Sequence, residues 1–417
     1  MPTRQFRRLT SVEDATRRFL DTVETVRTVE SVKIQDALGR VLARRIVSRK
    51  YLPAHDIAVL DGYAVHSADV RHASARNPTI LQLVGESRLG EPSRNRVGRG
   101  ETVAVATGSI LPKGADAVVM VENTRILGRG RIQFRVSVVP REGMTGKGED
   151  LTPGRSVIDR GNRLRPEDIG MMKALGLATV PVVRRVQVGI LSTGNELVNT
   201  ARKSRPEKIV DLNRPIFAAM LEQSGAIPVD LGIVEDDEWA ITSALRAGLL
   251  RTDVVLITAG SSVGKKDLVA HCINTLGSPG MLIHGISMRP AMPTGLAVVK
   301  GKPIVSLPGF PVSAMIAFRV FVRPLLARLS GAPGQVDPTV KAVLKKRVRG
   351  IEGSRTYVRV RVKRVRDGFV AVPLEAQRSS ILTSMVNANG IVTVSEDIQL
   401  IEAGTEVSVT LTGDLPG

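Results

Sequence analysis

VQVGILSTG (186–194) is followed by NRPIFAAMLEQSG (213–225), VDLGIV (229–234), EWAITSALRAGLL (238–250) and DVVLITAG (253–260). PIVSLPG (303–309) and PVSAMIAFRVFVRPLLARL (311–329) then close the series. Short runs of Val, Ile and Leu bounded by glycine alternate with helical spacing. That rhythm predicts a parallel sheet with helices on both faces. In such sheets the ligand crevice lies beyond the carboxyl ends of the strands. On this reading the loops STGNE (192–196), GIVEDD (232–237), TAGSSVGKKD (258–267) and LPGFP (307–311) all meet at that edge.

The flanking sequence has a different character. SVEDATRRFLDTVETV (11–26) places apolar residues at helical spacing, with Ser11 as its cap. Between residues 50 and 144, runs such as TILQLVGE (79–86) and ETVAVATG (101–108) alternate between turn residues, predicting an inserted β-rich domain. RPEDIGMMKALG (165–176) reads as a helix opened by Pro166 and closed by Gly176. Beyond 332 the alternation returns, and RTYVRVRVKRV (355–365) reads as a one-sided strand with a solvated basic face. The expected organisation is a helical linker domain (1–49 and 145–182), the β-rich insert (50–144), an α/β domain (183–331) and a C-terminal β domain (332–417).

Composition narrows the function classes. At 417 residues, with 43% hydrophobic and 24% charged, the chain has the usage of a folded multidomain protein rather than a disordered or fibrous one. No run of about 18 apolar residues occurs and the first twenty residues carry charges throughout, so neither a membrane span nor a signal peptide is expected. A cytoplasmic protein is the expectation. Cys272 is the single cysteine, which excludes an internal disulfide and an all-thiolate metal site within one chain. The net charge of +19 raises nucleic acid as a partner. The excess is spread along the chain, however, and aromatic residues make up 3%, too few for base-stacking platforms. A generally basic surface that draws small anions is the favoured reading.

The loops carry the candidate chemistry. TAGSSVGKKD is a Gly/Ser turn between a strand and a helix, where the backbone amides of Gly260, Ser261, Ser262 and Gly264 would cradle a phosphate. It matches neither the P-loop nor the dinucleotide fingerprint. Asp267 fits two roles, a Mg²⁺ ligand beside that phosphate or a helix cap. With Glu196 and Asp236 it makes three carboxylates on neighbouring loops, the set expected of a metal-assisted phosphate site. Pro308, Gly309 and Pro311 stiffen the LPGFP turn, and Arg289 in MRPAMPTG is the evident anion partner. Asp61-Gly62-Tyr63, taken alone, is a turn. No histidine pair has metal-ligand spacing and no nucleophile is set beside a base.

Taken in order, these stretches resemble the MoeA family of molybdopterin molybdenumtransferases, related to the E domain of gephyrin. The matching segments are DGYAV (61–65), VATGSILPKGADAVVMVE (105–122), GEDLTPG (148–154), RPEDIGMMKALG (165–176) and GILSTGNELV (189–198). They continue with GIVEDD (232–237), GSSVGKKD (260–267), MRPAMPTG (288–295) and LPGFPVSAMIAF (307–318). The resemblance implies a helical linker, an inserted β domain, an α/β domain like that of molybdopterin adenylyltransferases (MogA-like) and a C-terminal β-barrel. It implies a homodimer with a composite active site and insertion of molybdate, or tungstate, into adenylylated molybdopterin with Mg²⁺-dependent release of AMP. A molybdopterin adenylyltransferase and client molybdoenzymes are the implied partners.

By the same resemblance Asp61 matches the DGYA aspartate that reaches the partner's crevice and Thr107 the threonine of a TG motif. Glu196, Asp236 and Asp267 match acidic positions of the crevice, and Pro308 and Pro311 the prolines of LPGNP. Three departures stand out. The family's SGGVSVG is TAGSSVG here, with Ala259 and Ser261 substituted. Its PGKP is Pro290-Ala291-Met292-Pro293, exchanging a lysine for a thioether, and its LPGNP asparagine is Phe310. Lys265, Lys266 and Arg289 are the candidates to restore the missing charge. The alternative reading is a MoeA-like paralogue that binds or carries the cofactor with little or no metal insertion.

Overall fold

The structure, a computed structural model, describes residues 9–26, 28–92, 94–200, 208–259, 268–334 and 336–415. It divides into two compact units. One comprises the chain up to Ala43, Gly161–Pro166 and Thr179 onward; the other comprises Arg44–Arg160 and Glu167–Ala178. Among the described residues no helix is long and apolar enough to cross a membrane.

In the first unit a six-stranded sheet runs in the order Ile227–Val234, Gln187–Thr193, Val254–Ala259, Lys302–Pro308, Gly295–Val299, Pro279–His284. The first four strands are parallel, as the sequence pattern predicts. Gly295–Val299 runs antiparallel to both of its neighbours, and Pro279–His284 returns to the direction of the first four. The short apolar runs of these last two, broken by glycine and proline, give no clear strand signal, and they extend the sheet at one edge. The central strands are apolar at successive positions because both faces are covered. Val188, Ile190 and Leu256 pack with Phe217 and Phe318 on one side. Leu191, Val255 and Ile257 pack with Ile241, Leu245 and Cys272 on the other. Phe217 and Phe318 stack with ring centres 5.8 Å apart. The opening helix, Val12–Asp21, is capped by Ser11, whose hydroxyl accepts from the Asp14 amide at 3.2 Å.

The strands Thr339–Leu344, Arg355–Val365, Gly368–Pro373, Gly390–Val394 and Glu406–Leu411 form a closed barrel. Closure comes from the pairing of Arg355–Val365 with both Gly368–Pro373 and Gly390–Val394. The barrel is filled by Val358, Val360, Val362, Val392, Val394 and Val409. Met288–Arg289 leaves the α/β sheet and pairs in parallel with Arg355 and Thr356. That pairing stitches the barrel to the α/β layer.

The second unit is built on a mixed six-stranded sheet in the order Ala117–Met120, Gly62–Val65, Glu101–Val105, Thr79–Ser87, Arg131–Phe134, Thr124–Gly128. Tyr63, Val65, Val119, Ile132 and Phe134 fill one face. Gly62 is obligatory here: a Cβ at that position would stand 2.0 Å from the Val119 carbonyl oxygen. The helix Pro166–Ala174 begins at its proline, and Gly176 follows it with φ +78°, as its sequence predicts.

Candidate active site

Within the second unit, Asp61 immediately precedes Gly62, and the register of that strand opposite Glu101–Val105 brings Thr107 alongside. The Thr107 amide donates to Asp61 Oδ1 at 2.7 Å and its hydroxyl donates to the same oxygen at 3.0 Å. The amide first, and then the hydroxyl, hold the exposed Asp61 carboxyl below the usual carboxylate range. Two residues singled out separately in the sequence are thus one hydrogen-bonded pair.

In the first unit, the described loops expected at the crevice all leave the carboxyl edge of the parallel strands. Glu196 lies in the turn after Thr193, and its carboxylate folds over Gly194, where an added Cβ would meet Glu196 Oε1 at 2.8 Å. Asn195 Oδ1 accepts from the Asp236 amide at 3.1 Å, which ties the Glu196 turn to the Glu235–Asp237 turn. Asp237 is committed to capping the Glu238–Arg251 helix through the Ala240 amide, whereas Glu235 and Asp236 of the same loop are exposed. Asn213 Nδ2 donates to the Gly309 carbonyl at 2.8 Å and fixes the Pro308–Pro311 turn. Thr193 Oγ1 and Asn213 Oδ1 are buried at this edge with no hydrogen-bond partner among the described residues. Among the described residues no three His, Cys, Asp or Glu side chains gather as a metal-binding group. Gly260, Ser261, Ser262, Gly264, Lys265, Lys266 and Asp267 lie outside the described residues.

Arg289 lines a cleft of about 690 Å³ between the α/β layer and the barrel. Pro290 and Phe310 share its α/β wall. Arg347, Arg349, Tyr357, Gln377, Arg378 and the hydroxyl-bearing Ser379 and Ser380 contribute from the barrel. No carboxylate lines the cleft, and its four arginines make no ion pair among the described residues. Arg359, one residue beyond the cleft-lining Val358, is completely buried. Among the described residues its Nε and Nη1 have no hydrogen-bond partner, and Nη2 makes a long 3.4 Å bond to the Ala376 carbonyl. Burial lowers its affinity for the proton. A buried guanidinium without a counter-ion is costly.

Here the expectation of a solvated basic face on RTYVRVRVKRV needs correction. It holds for Arg361 and Lys363, which are exposed, and fails at Arg359. Gln377 returns over the strand, accepting from the Arg359 amide and donating to its carbonyl, and closes Arg359 off. Alternation alone carries no trace of that covering segment. Arg347, Arg349, Arg378 and the two serines were likewise not singled out, because nothing local distinguishes them from surface residues.

Three family descriptions match consecutive stretches: the MoeA N-terminal region (domain I and II) over residues 10–176, a probable molybdopterin binding domain over 189–328, and the MoeA C-terminal region (domain IV) over 341–412. A Bacillus subtilis protein named molybdopterin molybdenumtransferase is 30% identical over 387 residues, 92% of this chain and 89% of its own. The chain belongs to the MoeA family. The molybdopterin molybdenumtransferase 2 of Mycobacterium tuberculosis is also 30% identical, over 91% of this chain and 94% of its own. A crystal structure of the MoeA protein from Pyrococcus horikoshii matches with a TM-score of 0.85 and 31% identity over 97% of this chain and 100% of that one. These relationships make the chain a MoeA-type transferase of molybdenum-cofactor biosynthesis.

Against the MoeA pattern, Ala291 keeps a glycine-like backbone, with φ +85°, although it is buried and carries a Cβ. Met292 is half-buried, and its carbonyl accepts from the Ile286 amide. It does not line the arginine cleft.

Proposed function

We propose that this protein inserts molybdate, or tungstate, into adenylylated molybdopterin with release of AMP, working as a homodimer in which Asp61 and Thr107 of each subunit complete the crevice of the other. The observation that carries the reading is the cleft lined by four arginines that make no ion pair among the described residues, a site for a ligand bearing several negative charges. The match to a probable molybdopterin binding domain supports a molybdopterin-type anion as that ligand.

Glu196 and Asp236, with Asp267 from the following loop, would hold Mg²⁺. Two carboxylates on tethered loops are the donor kind magnesium takes together with substrate oxygens. Bound there, the ion would neutralise charge on the pyrophosphate as its bridging P–O bond is cleaved by water. The chain's own groups do the rest. Asn195 sets the spacing of the two acidic loops, and Asn213 holds the Pro308–Pro311 turn still. Arg289, Arg347, Arg349 and Arg378 orient the anionic substrate. Asp61, kept ionised by Thr107, is suited to accept hydrogen bonds from the water or ligand it meets. A nucleophilic side chain is not required by this chemistry.

The test is incubation of the purified protein with adenylylated molybdopterin, Mg²⁺ and molybdate, following AMP release and reconstitution of a cofactor-free molybdoenzyme. Release together with reconstitution supports the transferase. Tight binding with neither supports the carrier paralogue, a reading favoured by Met292 in place of lysine. Absence of binding removes both.

A further inference from the structure

Phe310 is an apolar ring in a cationic cleft. It is 52% exposed, whereas its neighbours Val312, Ser313 and Ala314 are buried, so the ring is turned away from the core. The backbone beneath it is held rigid. Pro308 and Pro311 bracket it, the Gly309 carbonyl is fixed by Asn213, and the Phe310 carbonyl accepts from the Ala314 amide at 3.0 Å. The ring therefore stays at the wall of the cleft, facing a space shared with Arg289, Arg347 and Arg349 and with the largely buried Tyr357. Exposing half a phenylalanine to water is unfavourable, and a rigid loop prevents the ring from collapsing onto its neighbours. A planar π-face set among guanidiniums fits one ligand class best: an anion that also carries a flat heteroaromatic ring.

We propose that Phe310 is a stacking platform that makes this cleft select anions bearing a planar heteroaromatic ring over ring-free anions of equal charge. The inference rests on the reading of the cleft as the substrate site and adds which part of the substrate Phe310 recognises. Adenine and pterin rings share the required chemistry.

Both rings are to be titrated by calorimetry, AMP for the adenine and 6-carboxypterin for the pterin, with ribose 5-phosphate as the ring-free control. Wild-type protein is expected to bind at least one ring probe about tenfold more tightly than ribose 5-phosphate, the scale of a single ring-on-aromatic stack. Phe310→Ala should erase that preference and leave ribose 5-phosphate unchanged, while Phe310→Trp should retain it. An effect confined to AMP assigns adenine, and one confined to 6-carboxypterin assigns the pterin. The inference is overturned if neither ring probe binds, if Phe310→Ala leaves both ring affinities intact, or if it weakens ribose 5-phosphate equally. Molybdate insertion measured in parallel separates the two readings. Ring preference without insertion removes only the transferase assignment, and insertion without ring preference removes only the role of Phe310.

Discussion

Thr107 donates two hydrogen bonds to a single oxygen of Asp61, from its amide and its hydroxyl, across 46 residues of sequence. The arrangement leaves the other carboxylate oxygen open while keeping the group ionised. Thr107→Val keeps the amide bond and removes the hydroxyl one, so the Asp61 pKa should rise part of the way back to its ordinary value near 3.8. A depressed folded-state value adds stability at neutral pH that is lost as pH falls through it. The variant should therefore show a weaker dependence of stability on pH at the acid end. A carbon-detected NMR titration of the Asp61 carboxyl reads the shift, and an unmoved value would exclude the hydroxyl as a cause.

Arg359 is predicted to weigh on stability alone. Replacing it by methionine removes a buried charge that lacks a counter-ion among the described residues, so unfolding free energy should be unchanged or higher by about 1 kcal/mol. Gln377 seals the side chain from the cleft, so molybdate insertion should be little changed. Chemical denaturation and the insertion assay measure the two separately. A marked loss of insertion with stability intact would mean that the guanidinium reaches the bound anion.

Glu196→Gln and Asp236→Asn preserve size and hydrogen bonding while removing charge. Each should retain the native melting temperature and lose AMP release by roughly a hundredfold or more, with the Mg²⁺ concentration for half-maximal activity shifted upward. Asp237→Ala should instead remove the cap of the Glu238–Arg251 helix, with a loss of stability of about 1 kcal/mol and little change in turnover. Equal effects of the Asp236 and Asp237 substitutions on AMP release would contradict the division of labour between these neighbours.

Ala291 sits at φ +85°. A side chain there costs about 1–2 kcal/mol, against about 0.4–1 kcal/mol that alanine recovers by restricting the unfolded chain. The buried methyl group contributes about 0.8 kcal/mol in the other direction, so Ala291→Gly should leave stability unchanged within about 1 kcal/mol, as read from urea unfolding midpoints.

Tyr357 lies against the cleft, and burial pushes its hydroxyl up to about 12. Because the folded value exceeds the unfolded value of about 10, the contribution is complete below pH 10 and disappears between pH 10 and 12. Stability should decline steeply across that interval and the decline should flatten in Tyr357→Phe. Absorbance at 295 nm gives the titration, and denaturant midpoints give the slope.

Much of the α/β layer was legible because its central strands are buried on both faces. Val188, Ile190 and Leu191 read as an unbroken apolar run, and chain sterics then place the following loops at one edge. Glycine and proline positions were equally local: Gly176 ends its helix as its spacing predicts, and Pro311 opens one. The acidic and glycine-rich loop residues were recognisable for the same reason, since residue type and strand-end position are properties of short segments. Arg359 was not. Its neighbours in sequence repeat the pattern of a solvated face, and only the return of Leu374–Gln377 across the strand removes it from water.

Barrel closure belongs to the same category, since it depends on the pairing of Thr356 with Val394, residues far apart in the chain. So does the bond between Asp61 and Thr107, which exists because Gly62 is registered opposite Val105. Sequence alone determined the element types, the crevice loops and the family, because those follow from periodicity, turn chemistry and ordered motifs. Tertiary structure decided which charges are left without partners and which residues share a cleft, because desolvation and hydrogen-bond satisfaction are set by segments that meet only after the chain has folded.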